Sequence, residues 1–258
     1  MKIVVLAKQV PDTNSDRKLN LTTGLAERDA SDPIPDEINE RALESALKYR
    51  DAGSDVEVVV LTMGYDVTKS VRKLLSMGAD SAVVVEDGSL AGADMVQTAK
   101  VLAAALRRTG FDVVLAGNET TDGRGGVVPA MVSELLGLPL LPSLDEIQIT
   151  AGSVSGEVQV DGGSLSLRSS LPVVVSVTER SAEARFPNFK GIMQAKKKPV
   201  TTLSLADLGI EAGPERLGAR SVMVSAVERP AKQAGPKIID DGTAADQLAD
   251  FLASNRLL

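Results

Sequence analysis

The sequence contains no cysteine, no histidine and no tryptophan, and aromatic residues make up only 2% of its 258 positions. Without cysteine the chain has no disulfides, no thiolate chemistry and no Cys-ligated metal. Without histidine it has no His-based catalytic triad and no His-ligated metal site. Hydrolytic or metal chemistry would have to rest on carboxylates alone, so the sequence leads us to assign no catalytic residue and no metal ligand.

Positively charged residues are fewer than negatively charged ones: 28 Lys and Arg against 35 Asp and Glu give a formal net charge of −7. This balance argues against nucleic acid as the main partner, since phosphate backbones need a basic face. The opening stretch "MKIVVLAKQVPD" has an apolar run too short for a signal peptide. No segment approaches the roughly 20 apolar residues of a membrane span. The sequence therefore predicts a cytoplasmic protein.

What the chain does have is apolar runs that alternate with amphipathic segments through its first half. The runs predict buried strands, and the segments between them predict helices with one apolar face. The predicted strands are Lys2–Ala7, Val56–Gly64, 81–87 and 111–117, and the predicted helices lie within 36–53, 67–78, 93–110 and 127–139. This βαβαβαβα order predicts an α/β fold with a parallel sheet and helices on both faces.

The pattern changes after Pro142. Alternating residues and two Gly-containing turns over 143–177 predict an antiparallel β meander that ends in the apolar strand Val173–Val177. A loop follows at 179–198, in which Pro and Gly discourage a regular helix.

The C-terminal part is predicted to differ from the sheet domain. A Gly/Pro/Lys-rich stretch covers 213–236, and a final helix is predicted at 243–255. Because 229–241 looks like a linker, we divide the chain into an α/β domain at 1–228 and a C-terminal linker and helix at 229–258 that sits apart from the sheet.

Three predicted strands run into segments suited to a ligand, since open α/β sheets bind ligands at the carboxyl ends of their strands. These segments follow Ala7, Met63 and, with the strongest signal, Ala116, where "AGNETTDGRGGVVP" turns into a helix. Glycines there let backbone N–H groups turn inward, and the helix N-terminus favours an anion such as phosphate. A flexible strand–helix connection explains the same spacing equally well. The motif is neither GxGxxG nor a Walker lysine loop, so it supports neither a conventional NAD site nor phosphoryl transfer.

The stretch "EARFPNFKGIMQAKKKPV", residues 183–200, gathers two of the four phenylalanines of the chain beside a run of lysines. These apolar side chains either pack on their own domain or are displayed to a partner. The neighbouring Arg and Lys residues would steer an acidic partner toward them.

Several of these motifs together resemble the β subunit of the electron transfer flavoproteins, called the FixA type in bacteria. The resemblance covers nearly the whole chain and rests on "VVLAKQVPD", "DEINERALESALKYRD", "KLLSMGAD", "AGNETTDGRGG", "LPVVVSVTE" and "FPNFKGIMQAKKK". It implies a Rossmann-like fold of the adenine-nucleotide-binding type. It also implies a heterodimer with an α subunit that holds most of one FAD, and an AMP bound by the β subunit. The domain at 1–228 would then be the nucleotide-binding domain, and the C-terminal linker and helix at 229–258 would contact the partner subunit.

The resemblance implies a set of nucleotide-binding residues when it is carried over position by position. They are Leu6, Ala7, Lys8, Asp36, Ile38, Asn39, Met63, Gly64, Gly117, Asn118, Glu119, Thr120, Thr121, Asp122, Gly123, Gly125, Gly126, Val127 and Val128. A second implied set docks client dehydrogenases, such as acyl-CoA dehydrogenases, whose electrons pass on to a membrane quinone oxidoreductase. These residues are Arg185, Phe186, Pro187, Phe189, Ile192 and Met193, with Phe189 as the apolar anchor.

Some positions depart from the family pattern. Val158 and Leu165 stand where a basic residue and an acid or amide are usual, and Ala184 stands where proline is common. Asp36 and Asn39 also differ from the usual entry to the first helix.

Three other functions are compatible with parts of the sequence. A nucleotide-binding module without redox function explains the sheet and the glycine-rich turn. An adenylating ligase needs a lysine-bearing phosphate loop, which is not visible. A bifurcating family member would hold a second FAD in place of AMP.

Overall fold

A computed structural model describes residues 1–211 and 223–257 of the chain. The strands in these residues are β1 Lys2–Leu6, β2 Gln9–Pro11, β3 Pro33–Pro35, β4 Glu57–Met63, β5 Ser81–Val85, β6 Val113–Gly117, β7 Leu140–Leu144, β8 Glu146–Ile149, β9 Ser153–Val160, β10 Gly163–Ser170, β11 Val173–Val177 and β12 Val200–Leu203. The α-helices are α1 Glu37–Asp51, α2 Thr68–Met77, α3 Met95–Thr109, α4 Val128–Leu136, α5 Phe189–Ala195 and α6 Ala244–Ser254.

Seven strands form one sheet in the order β12-β5-β4-β1-β6-β11-β7, and all of its pairs are parallel. The central strand β1 has alternate side chains in two different layers. Ile3 and Val5 pack with α1 and α2, whereas Val4 and Leu6 pack with α3 and α4. Because both faces of the sheet are covered, its central strands contain continuous apolar runs such as Ile3–Leu6 and Val58–Leu61. The predicted α/β fold with helices on both faces is confirmed.

The predicted helix ends follow from local chemistry. Asp94 caps α3 in a capping box: its side-chain Oδ1 accepts a hydrogen bond from the Gln97 amide, and its own amide donates to the Gln97 side-chain Oε1. Gly78 and Gly110 follow α2 and α3 with φ angles of 146° and 70°, which residues with a Cβ rarely adopt.

The predicted meander is correct only in its middle. Strands β8, β9 and β10 form a three-stranded antiparallel sheet, but Val173–Val177 does not continue it. This strand, β11, instead lies inside the parallel sheet between β6 and β7. All five of its residues are buried, as is typical of a strand covered on both faces. The edge strand β7 was not predicted, since Pro142 interrupts its pattern, and proline is tolerated at a sheet edge.

The segment 179–198 is more regular than predicted. The prediction of no regular helix was wrong for Phe189–Ala195, which forms the short helix α5. Asn188 begins this helix, because its side-chain Oδ1 accepts a hydrogen bond from the Gly191 amide at 2.8 Å. Gly191 also lies close to α2, since a Cβ there would stand 2.3 Å from the carbonyl oxygen of Ser76. The glycine therefore allows a close helix contact.

The predicted Gly/Pro/Lys-rich stretch at 213–236 lies partly outside the described residues. Where the chain is described again, residues 223–241 form neither helix nor strand. The predicted final helix is present as α6, Ala244–Ser254. None of the helices in the described ranges is long and apolar enough to cross a membrane.

Candidate nucleotide site and exposed docking surface

The sheet order brings three of the predicted strand ends together. β1 lies between β4 and β6, so Leu6, Met63 and Gly117 end neighbouring parallel strands at one edge. After β1 the chain builds outward through β4 and β5, and it then returns to the other side of β1 to form β6. The strand order therefore reverses between β1 and β6. This is the position at which α/β sheets form a ligand crevice.

Asp36 joins the first helix to the glycine-rich loop after β6. Its side chain is fully buried, and Oδ1 accepts hydrogen bonds from the amides of Ile38 and Asn39 at 3.0 and 3.4 Å. Its other oxygen, Oδ2, accepts from the amide and the hydroxyl of Thr121 at 2.7 and 2.9 Å. The carboxylate is thus a helix cap and also a tie between two parts of the predicted site.

Asn39 and Gly117 form a close contact between α1 and β6. The Asn39 side-chain oxygen accepts a hydrogen bond from the Lys8 amide at 2.8 Å. A Cβ on Gly117 would stand 2.5 Å from the Asn39 side-chain nitrogen and 3.0 Å from Ile38 Cγ2. The absence of a side chain at Gly117 therefore lets the helix entry lie directly against the strand end.

Asp122 is the charged centre of the loop. Its carboxylate accepts hydrogen bonds from Lys8 Nζ at 2.8 Å, from the Thr120 hydroxyl at 2.7 Å and from the Gly123 amide at 2.7 Å. Burial alone raises the pKa of Asp122, but the Lys8 ammonium and these hydrogen bonds outweigh burial and hold the pKa below its ordinary value. The loop is thereby fixed to β1.

The second half of the loop is open to solvent. Gly123 through Val127 are exposed, and Gly126 has a φ of 65° that favours glycine. Helix α4 begins at Val128 without a side-chain hydrogen bond to its first amides. Oδ1 of Asn118 is buried and has no hydrogen-bond donor within the described chain. The Gly123 and Arg124 amides donate to Asp122 and to the Thr120 carbonyl, which leaves those from Gly125 to Val128 for a ligand. Amides of this kind and an unpaired acceptor in one loop fit a ligand with both phosphate and donor groups.

Other predicted residues complete this edge. Ala7 donates its amide to the Leu61 carbonyl, and Gly64 donates to the Val85 carbonyl. Glu119 pairs with Arg124 at 3.5 Å on the outer side of the loop. Sequence reasoning missed Met95, whose sulfur would lie 2.5 Å from a Cβ on Gly125. No motif marks Met95, because its approach comes from a different strand–helix unit.

Phe186, Phe189, Ile192 and Met193 form an exposed apolar surface, which we call the docking surface. The exposed fractions of Phe186 and Phe189 are 93% and 79%, and those of Ile192 and Met193 are 48% and 51%. The side chains are therefore displayed rather than packed on their own domain. Such a patch is typical of a contact with another molecule.

The docking surface is held in place at both ends. Arg185 donates from Nε and Nη2 to the Glu44 carboxylate at 2.6 and 2.9 Å, and from Nη1 to Asp51 at 2.7 Å. The hydrogen bonds to Glu44 raise the pKa of Arg185, and those from Arg185 lower the pKa of Asp51. At the other end, Lys198 Nζ donates to the Leu75 carbonyl at 3.0 Å.

The family departures at 158 and 165 prove to be one feature. Val158 and Leu165 are directly opposite each other in the antiparallel pair β9–β10. Their side chains form an apolar cross-strand pair, and cross-strand neighbours of this kind interact. Ala184 is half-buried and packs against the main core.

Known proteins match the chain along most of its length. A family model described as "Electron transfer flavoprotein domain" matches residues 24–208. The chain is 46% identical over 263 residues to the electron transfer flavoprotein subunit beta of Mycobacterium tuberculosis, with 99% of each protein covered. The protein of the same name from Mycobacterium leprae is 47% identical over 263 residues, again with 99% of each covered.

A more distant relative has a different name. The caffeyl-CoA reductase-Etf complex subunit CarD of Acetobacterium woodii is 32% identical over 258 residues, which cover 98% of this chain and 97% of the relative. The resemblance predicted from the motifs is confirmed. The chain belongs to the electron transfer flavoprotein β-subunit family, whose members carry electrons rather than transform a substrate.

Proposed function

We propose that this β subunit pairs with an α subunit in a heterodimer that accepts electrons from dehydrogenases and delivers them to a membrane quinone oxidoreductase. The docking surface is the observation that carries this proposal. Phe186 and Phe189 are among the most exposed side chains of a protein with few aromatics. Leaving such apolar area in water is unfavourable unless a partner covers it part of the time.

The clients are dehydrogenases of CoA esters, such as acyl-CoA dehydrogenases. The heterodimer works with them in the cytoplasm, where it accepts electrons from the oxidation of fatty acids. The Acetobacterium woodii relative supports this class, because its name places it in a complex with a CoA-ester reductase. The docking residues are Phe186, Pro187, Phe189, Ile192 and Met193. Arg185 belongs to the same segment, but its guanidinium pairs with Glu44 and Asp51, so it supports the surface.

The nucleotide of the β subunit is AMP, bound at the carboxyl ends of β1, β4 and β6. The amides from Gly125 to Val128, at the start of α4, suit its phosphate. The unpaired oxygen of Asn118 suits a donor group of the nucleotide. Lys8 supplies a cation beside the same turn, since its Nζ is bound to Asp122 in the loop.

The C-terminal segment at 229–258 is an arm that binds the α subunit. Its apolar side chains are exposed, with Ile239 at 82%, Leu248 at 50% and Phe251 at 43%. Burial of these side chains against a partner would stabilise the heterodimer.

FAD is shared with the α subunit and supplies the redox chemistry when bound. The residues of this chain bind the nucleotide, hold the loop after β6 and present the docking surface. None of them has to act as an acid or a base, in keeping with the absence of His and Cys.

The proposal is tested by expressing the chain with its α subunit, denaturing the purified complex, and counting released FAD and AMP. One FAD and one AMP per heterodimer are expected. Two FAD without AMP would replace this reading with a bifurcating carrier in which a second FAD fills the same crevice. A complex without flavin would contradict the electron-carrier assignment itself.

A further inference from the structure

Residues 18–27 fold into a small hairpin that the family motifs do not explain. The backbone of Leu19 pairs with that of Ala26 in an antiparallel bridge. The amide of Glu27 donates to the Lys18 carbonyl at 2.9 Å, and the turn closes with a 2.7 Å bond from the Gly24 amide to the Asn20 carbonyl. The hairpin therefore has a defined structure although much of it is exposed.

Two arginines flank the hairpin, and both reach the loop of the nucleotide site. Arg17 donates to the Thr121 carbonyl and, at 3.1 Å, to the Thr121 hydroxyl. Arg28 pairs with the Asp122 carboxylate at 3.4 Å and donates to the Gln9 carbonyl at 3.3 Å. The base of the hairpin is thus attached to Thr121 and Asp122, the same two loop residues that Asp36 and Lys8 bind.

The tip of the hairpin lies elsewhere, at the loop between β5 and α3. The two methyl carbons of Leu25 are 3.4 and 3.7 Å from the position that a Cβ on Gly92 would take. On its other side, a Cβ on Gly24 would stand 2.9 Å from the Met223 side chain. The tip is therefore in contact with two further segments of the chain.

These attachments define what the hairpin crosses. Its base is bound to the loop after β6, and its tip touches the loop after β5. In the sheet, β1 and β4 lie between those two strands. Three strand spacings correspond to about 14 Å, and this gap contains the strand ends that carry Leu6 and Met63. The hairpin is therefore attached to both of the loops that border the crevice.

We infer that the hairpin at 18–27 is a strap that retains the nucleotide, and that Arg17 and Arg28 are the positioning residues that hold it closed. A nucleotide at the carboxyl ends of β1 and β4 would leave only after the strap lifts. Lifting breaks the arginine hydrogen bonds to Thr121 and Asp122, and hydrogen bonds to charged groups are the stronger kind. This inference rests on the proposed nucleotide site.

The test uses the purified heterodimer loaded with radiolabelled AMP and then given an excess of unlabelled AMP. Arg17→Gln and Arg28→Gln are compared with the unaltered protein. Arg108→Gln is the matched control, since Arg108 also donates to a backbone carbonyl, that of Asp207 at 3.0 Å, but lies near the other end of α3. Each strap variant should release label about tenfold faster, as expected from losing a hydrogen bond to a charged group, with unchanged FAD content. Arg108→Gln should release it at the unaltered rate.

Label release at the unaltered rate from both strap variants would overturn the inference and leave the proposed function intact. If the unaltered heterodimer holds no AMP, the nucleotide proposal fails and the strap inference fails with it. Arg17→Lys and Arg28→Lys cover the case in which a Gln variant does not assemble. Lysine keeps the charge but loses the forked donors of arginine, so the rate of AMP release should lie between those of the unaltered protein and the Gln variants. An unaltered rate from both assembled Lys variants would also contradict the strap.

Discussion

Gly117→Ala is the substitution that most directly probes the closed contact between α1 and β6. The added Cβ would stand 2.5 Å from the Asn39 side-chain nitrogen and 3.1 Å from the Glu119 carbonyl oxygen. Asn39 is 4% exposed, and its side-chain oxygen holds the Lys8 amide. The asparagine therefore has no free direction in which to move without breaking that hydrogen bond.

The size of the effect follows from two contributions. Forcing an extra carbon into a packed site costs about 1–3 kcal/mol, and leaving a buried amide unpaired costs about 1–3 kcal/mol. We expect the free energy of opening the contact between α1 and β6 to fall by about 3 kcal/mol. This corresponds to a factor of about one hundred in the equilibrium constant between the closed and the open contact. Bound AMP should fall in parallel, because the altered strand end carries the nucleotide loop.

Hydrogen exchange measured by mass spectrometry on the purified heterodimer is the appropriate assay, since it reports on β6 and α1 separately. Gly163→Ala is the matched control. Gly163 also lies in a strand, but a Cβ there would meet no atom within 4 Å. The control should exchange like the unaltered protein. If Gly117→Ala also does, the contact between α1 and β6 is looser than the distances indicate and the reasoning is refuted.

Three further changes test other parts of the molecule. Phe189→Ala should slow reduction of the heterodimer by client dehydrogenases at least about tenfold, as expected for a hot-spot residue, without loss of flavin; equal reduction rates would remove Phe189 from the docking surface. Deletion of 237–258 should weaken binding to the α subunit, and an intact heterodimer on a sizing column at low concentration would contradict the arm. Asp122→Asn should lower the free energy of unfolding near pH 7 by about 1.5–3 kcal/mol, the range for hydrogen bonds to a charged group. Because folding lowers the pKa of Asp122, this difference should be present above about pH 4 and vanish as the pH falls through the lowered value; a difference that persists in acid would show that charge is not the cause.

The strand–helix order was predictable because each of those units carries its own signal. An uninterrupted apolar run such as Val58–Leu61 indicates a doubly covered strand, and Gly78 or Gly110 indicates where a helix ends. The position of β11 was not predictable in the same way. Its four valines fit the end of a meander and the middle of a sheet equally well, and its actual partners β6 and β7 are distant in sequence.

In the candidate site, too, local features could be predicted from the sequence and contacts between distant residues could not. The glycine-rich turn after β6 could be found from spacing, since glycine and a following helix are local features. The roles of Arg17 and Arg28 could not be found, because each depends on a partner about one hundred residues away in the chain. The pairing of Val158 with Leu165 needed the strand register, which only the structure provides.

The fixed mounting of the docking surface has a kinetic consequence. The ion pairs of Arg185 and the bond from Lys198 restrain the backbone of the segment before any partner arrives. A partner that covers Phe189 therefore has little backbone to order, which lowers the ordering penalty of association. A contact of this kind can be weak and still form quickly, because no slow rearrangement precedes it. A surface mounted in this way suits partners that bind briefly and leave again.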